Sequence, residues 1–191
     1  MTLNYLNCDN SNFLPRESFN SYKPVFKVEN GCNILKISFW QNGCDKQNAF
    51  YYRSTYIEKF WLSILGPSAT WILRLLLDEI KTNDPITVVT SNYIASQVGL
   101  SDNTSKNSPL CRSIRRLLDF RIAKQIKEGH LVISKYIPPL STRQTLKLPS
   151  SMLELHKKYL ILLQNGYYDE LLGDDRLQDI EINLLLNLKD S

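Results

Sequence analysis

The stretch from Thr90 to Ile137 constrains this chain more than any other. It opens Thr90-Ser91-Asn92-Tyr93-Ile94-Ala95-Ser96-Gln97-Val98-Gly99, the pattern of a short helix closed by a turn glycine. Thr90 or Ser91 is the expected cap, since a short hydroxyl side chain accepts a bond from an N–H that has no helical partner. Gly99 permits the left-handed backbone that ends such a helix, and Ala95 lets a second helix approach closely. A second helix is expected over 107–118. Its Leu110, Ile114, Leu117 and Leu118 recur at helical spacing and predict a buried stripe. Asn107 or Ser108 caps it, and Pro109 falls in the first turn, where a missing N–H costs nothing. Two short strands around Glu128-Gly129 follow, a hairpin over 121–137.

Arg112, Arg115 and Arg116 lie off the apolar stripe of the second helix. A guanidinium is permanently charged and presents a planar fork of donors, which suits phosphate oxygens or the edge of a guanine. The helix N-terminus adds unpaired N–H groups to which a phosphate can bind. Lys106, Asn107 and Ser108 precede the helix, and Lys124, Lys127 and Lys135 stud the hairpin. These nine residues are the expected DNA contacts. The plainer alternative is a solvated basic face with no ligand.

Charge distribution favours a polyanion. Residues 66–150 hold 12 Lys and Arg against 6 Asp and Glu, whereas residues 166–191 hold 2 against 7. The basic middle is therefore where DNA would bind, and the acidic tail is where it would not.

Helix, turn, arginine-bearing helix and hairpin together resemble a winged helix-turn-helix. The block from Trp61 to Tyr159 is also similar to a family of small bacterial winged-helix proteins of actinobacterial type. The similar features are Gly66-Pro67-Ser68-Ala69-Thr70-Trp71, the Asn107-Ser108-Pro109-Leu110 approach to the arginine-bearing helix, and Ile137-Pro138-Pro139-Leu140 with Arg143, Leu146 and Pro149. The resemblance covers about half the chain in loose motif form. It implies DNA binding, with the second helix in the major groove and the hairpin as wing. The chain departs from the family in its Asn- and Lys-rich composition and its acidic tail.

The remaining chain divides by pattern. Residues 1–24 read as an arm with isolated aromatics. Residues 25–53 read as three short antiparallel strands with glycine turns. A helix is expected over 54–65, capped by Ser54 or Thr55, with Ile57, Phe60, Trp61 and Ile64 as its stripe. Pro67 opens a scaffold helix whose stripe is Trp71, Ile72, Leu75, Leu76 and Ile80. Ile86-Thr87-Val88-Val89 is the short strand expected to pair with the wing hairpin. Residues 141–148 read as a connection, and a helix follows from about 150 to Gln164. Tyr167 to Leu188 is acidic and leucine-rich, a candidate dimerisation element. The fold class is thus α+β. A winged helix-turn-helix at 66–150 carries a small N-terminal antiparallel β element with a helix, 25–65, and C-terminal helices with an acidic tail, 151–191.

Several function classes are disfavoured. Cys8, Cys32, Cys44 and Cys111 form no Cys-x-x-Cys pair, and His130 and His156 stand at no metal-ligand spacing, so no metal or other cofactor is expected. No Gly-rich phosphate loop or nucleophile elbow is present, so no enzyme is expected. Met1 to Lys23 is polar and no apolar run is long enough to span a bilayer, which points to the cytoplasm and no membrane partner. The expected partner is double-stranded DNA, bound sequence-specifically by a transcriptional regulator, with a homodimer through the C-terminal helices. The alternatives are a replication or maintenance protein of a mobile element and a protein-interaction module on a winged-helix scaffold.

Overall fold

The computed structural model describes residues 23–41, 48–81, 84–146 and 148–165. The described residues form a mixed α+β fold. In chain order come β1 (Lys27–Glu29), β2 (Cys32–Phe39), β3 (Phe50–Tyr51), a π-helical turn (Ile57–Trp61) and α1 (Leu62–Leu65). Then follow α2 (Pro67–Glu79), β4 (Thr87–Thr90), α3 (Ser91–Val98), α4 (Pro109–Asp119), β5 (Ala123–Lys127), β6 (His130–Ile133), β7 (Tyr136–Ile137), α5 (Thr142–Thr145) and α6 (Ser150–Gln164).

The helices begin and end where local chemistry directs. Thr90 caps α3, its hydroxyl accepting from the Tyr93 N–H, and Gly99 ends it at φ 67° with its N–H bonded to the Ala95 carbonyl. Ser108 caps α4 by accepting from the Cys111 N–H, with Pro109 in the first turn. Leu110, Ile114 and Leu117 are fully buried and Leu118 packs partly buried against the core. Removing one such side chain, as in Ile114→Ala, removes on the order of 2–5 kcal/mol of stability.

Two helical expectations need correction. The segment expected as one helix over 54–65 is helical over 55–65, but with a π-helical turn inside it that runs into α1, and neither the Ser54 nor the Thr55 hydroxyl caps it. Its apolar stripe still packs inward, with Ile57, Phe60 and Trp61 buried and Ile64 partly so. On α2, Trp71 is 60% exposed, not core. The buried stripe runs through Ala69, Ile72, Leu73, Leu76 and Leu77, further round the helix, which turns Trp71 outward beside the Arg74 guanidinium, 5.7 Å from its ring.

The sheet departs most from the sequence reading. β4 does not pair with the wing hairpin. It pairs antiparallel with β2, Ile34 opposite Thr90 and Ile37 opposite Thr87. β2 in turn pairs parallel with β6, Lys36 opposite His130 and Phe39 opposite Ile133. The N-terminal strand is thus inserted between the two strands expected to meet. The opposite edge of β2 from β4 is shared. β1 pairs antiparallel with its first half, Lys27 opposite Ile34, and β6 takes its second half. Nor do three N-terminal strands make their own sheet, because β3 pairs antiparallel with β7. The physical reason is alternation. Leu35 and Ile37 are fully buried on the inner face of β2, and a strand with that much apolar surface is accommodated in the middle of a sheet, not at its margin.

The hairpin is also shorter than expected. Its return strand β6 ends at Ile133, and β7 leaves to join β3. Residues 142–145, expected as plain connection, form the helical turn α5 with a capping box between Ser141 and Gln144. α6 matches its expected span. All but Lys23 and Pro24 of the expected arm at 1–24, the Asn42-Gly43 turn and the leucine-rich tail at 167–188 lie outside the described residues.

Candidate nucleic-acid interface

The three arginines of α4 have different surroundings. Arg112 is exposed, and its side chain has no hydrogen bond or ion pair among the described residues. Arg115 is half-buried and donates through Nη1 to the Lys106 carbonyl at 2.5 Å, tying the α3–α4 connection to the helix. Arg116 donates through Nη2 to the Ile64 carbonyl at 3.0 Å, satisfying a carbonyl at the end of α1. One turn of helix therefore separates a guanidinium directed at solvent from one that joins two helices.

The approach to α4 divides similarly. Lys106 and Asn107 are exposed, while Ser108 is 4% exposed and its hydroxyl is taken by the cap. The connection is shaped by its own side chains. The Asn103 Oδ1 accepts from the Ser105 N–H at 2.8 Å, and the Cys111 thiol donates to the Thr104 carbonyl at 3.3 Å. Cys111 is buried there.

On the hairpin, Lys124 and Lys127 are exposed. Lys135 is half-buried, its Nζ 4.4 Å from the centre of the Phe39 ring. The turn of the hairpin is not a free tip. Gly129 is buried, its carbonyl accepts from the Lys36 N–H at 2.8 Å, and a Cβ at Gly129 would lie 2.6 Å from the Lys27 Cβ. Further in, the Gln125 amide donates to the Pro24 carbonyl at 2.7 Å. The N-terminal segment thus braces the hairpin at its tip and on its outer strand.

This bracing brings in two cations outside the expected set, Lys27 and Lys36. With Lys127 they surround a shallow cleft that Glu29, Ile34, Glu128 and Gly129 also line. Lys27 and Lys36 both pair with Glu29, at 2.9 and 3.3 Å, and hold its carboxyl below the usual range. The alternation of Lys36 with Leu35 and Ile37 marks it in the sequence as outward-facing. Its neighbourhood with Lys127 is invisible there, because 90 intervening residues separate them.

His130 sits on the same sheet face, its Nε2 3.3 Å from the Ser38 hydroxyl. Burial lowers its pKa, and the charges of Lys127 and Lys36 lower it further. His156 is remote from this region. Its Nδ1 lies 3.0 Å from the Tyr56 hydroxyl, which accepts from the Leu140 N–H, and burial lowers its pKa too. Among the described residues no three His, Cys, Asp or Glu side chains gather as a metal site, and no single helix is long and apolar enough to cross a membrane. Comparison with protein-family models, with characterised proteins and with solved structures finds no match.

Proposed function

We propose that this chain binds double-stranded DNA and acts as a sequence-specific regulator, with α4 entering the major groove. In this reading α2, α3 and α4 are the three helices of a winged helix-turn-helix, and the β5–β6 hairpin is its wing, braced by β1 and β2. The observation that carries the reading is Arg112, a solvent-directed guanidinium with no protein partner among the described residues, one turn into a capped helix. Lys106 and Asn107 lead into the same helix, and Lys124 and Lys127 follow it on the hairpin. Base edges are read by such a guanidinium in two parallel bonds, while lysines hold phosphates and fix register. Arg115 and Arg116, already bonded to backbone carbonyls, position α4 and its approach. Ser108 acts through the helix it caps. A homodimer on two half-sites about one helical turn apart is the assembly this motif favours.

Fluorescence anisotropy with a labelled duplex, at two salt concentrations, tests the reading. Wild-type binding is expected to weaken steeply as salt rises, because neutralised phosphates release counterions. Arg112→Glu is expected to abolish binding while leaving the urea midpoint unchanged. A wild-type protein that leaves anisotropy flat at low salt would sink the proposal.

A further inference from the structure

We propose that the cleft between the β1–β2 turn and the β5–β6 turn holds a backbone phosphate of the bound duplex, gripped by Lys27, Lys36 and Lys127. This deepens the DNA-binding reading and rests on it. The cleft has a volume of about 220 Å³ and is lined by those three lysines with Glu29, Ile34, Glu128 and Gly129. Its position follows from register. Ile34 of β2 lies opposite both Lys27 and Thr90, and Lys36 lies opposite both Val88 and His130. The cleft therefore opens at the end of the sheet where Thr90 leads into α3. In helix-turn-helix proteins the helix before the reading helix crosses the DNA backbone, so a phosphate strand passes that end.

The β1–β2 hairpin reaches beyond the wing at this point. The wing turn is level with Lys36, whereas β1 and β2 pair on to Glu29 and Cys32 before turning at Asn30-Gly31. Both turn residues have positive φ, 51° and 77°, and nothing lies within 4 Å of a Cβ at Gly31. The outermost projection here is thus the N-terminal hairpin.

Charge balance decides what the cleft takes. Three ammonium groups face two carboxylates, and Glu29 is shared by Lys27 and Lys36. Lys127 has no ion pair among the described residues. An arriving phosphate finds Lys127 uncompensated and exchanges with Glu29 for Lys36, the longer of its two contacts. Partly exposed ion pairs contribute little, so this exchange is cheap. Glu29 therefore acts as a built-in competitor that keeps the lysines gathered when no DNA is present.

The test uses the full chain and a labelled duplex of random sequence, titrated by anisotropy across a salt series. The double variant Lys36→Gln/Lys127→Gln is expected to reduce the slope of log affinity against log salt by about 1, the loss of one phosphate contact. Glu29→Gln is expected to tighten binding by about two- to fivefold, as removal of a competing partner from an exposed pair should. A gain of affinity cannot come from misfolding. If Arg112→Glu abolishes binding but both cleft variants match wild type in slope and affinity, the cleft proposal falls and the α4 reading stands. If the wild type does not bind duplex at low salt, both fall.

Discussion

Arg112 and Arg116 are the same residue type one turn apart on α4, but among the described residues only Arg116 of the two reaches a protein acceptor, the Ile64 carbonyl at 3.0 Å. Their truncations should therefore separate stability from binding. Arg116→Ala is expected to lower the free energy of unfolding by about 1 kcal/mol, the net contribution of one such bond. Arg112→Ala is expected to change it by less than about 0.5 kcal/mol, as at an ordinary surface site. Paired urea titrations check this, and equal losses would contradict the division of roles. The two histidines give a second residue-scale prediction. His130 and His156 both have pKa values lowered from 6.5, chiefly by burial. Both rings are neutral in the folded chain near neutrality. As pH falls through 6.5, the unfolded chain takes up protons before the folded chain does, so stability falls. The urea midpoint is expected to drop between pH 7.5 and pH 5; a flat profile would count against neutral, buried rings. In His156 the neutral form matters to packing, because its Nδ1 is hydrogen-bonded with the Tyr56 hydroxyl in a cluster with Phe60 and Tyr159.

At the scale of elements, the braced wing is the feature with consequences. Gly31 and Gly129 both have positive φ, 77° and 65°, and both close hairpins. Around Gly31 there is open space, but a Cβ at Gly129 meets the Lys27 Cβ at 2.6 Å and its backbone N at 3.0 Å. Backbone strain alone costs on the order of 1 kcal/mol for an alanine at positive φ. Gly31→Ala is expected to show that cost only. Gly129→Ala adds a clash with main chain that cannot be relieved by a side-chain rotation, so it should cost more and should loosen β1 from the wing. Hydrogen exchange at the Lys36 amide, which donates to the Gly129 carbonyl, reports this directly. Faster exchange in Gly129→Ala than in Gly31→Ala is the expected result, and equal rates would mean the tip is not sealed by β1.

For the whole molecule, what could be read in advance was local. Ser108, Pro109 and the Leu110, Ile114, Leu117 stripe specify α4 by themselves, since capping, first-turn proline and 3.6-residue spacing all act within a few residues. Thr90 and Gly99 do the same for α3. Trp71 is exposed against expectation because several apolar residues crowd α2, and a hydrophobicity pattern alone does not say which arc faces the core. The strand partners differ from expectation for a stronger reason. β2 was legible as an alternating strand, but Lys36 meets His130 across the sheet only because the folded chain brings the N-terminal segment between β4 and β6. Strand alternation has a period of two in every strand, so it specifies a face and not a neighbour. The candidate site was split in the same way. α4, its three arginines and the lysines of the hairpin can be read from local pattern alone, because helix capping and amphipathic spacing are short-range. Folding in three dimensions is what bonds Arg116 and Arg115 to backbone carbonyls, leaves Arg112 without a partner among the described residues, and joins Lys27 and Lys36 to Lys127 at one cleft. Those outcomes depend on contacts between residues far apart in the chain, which the close packing of one shared core brings together.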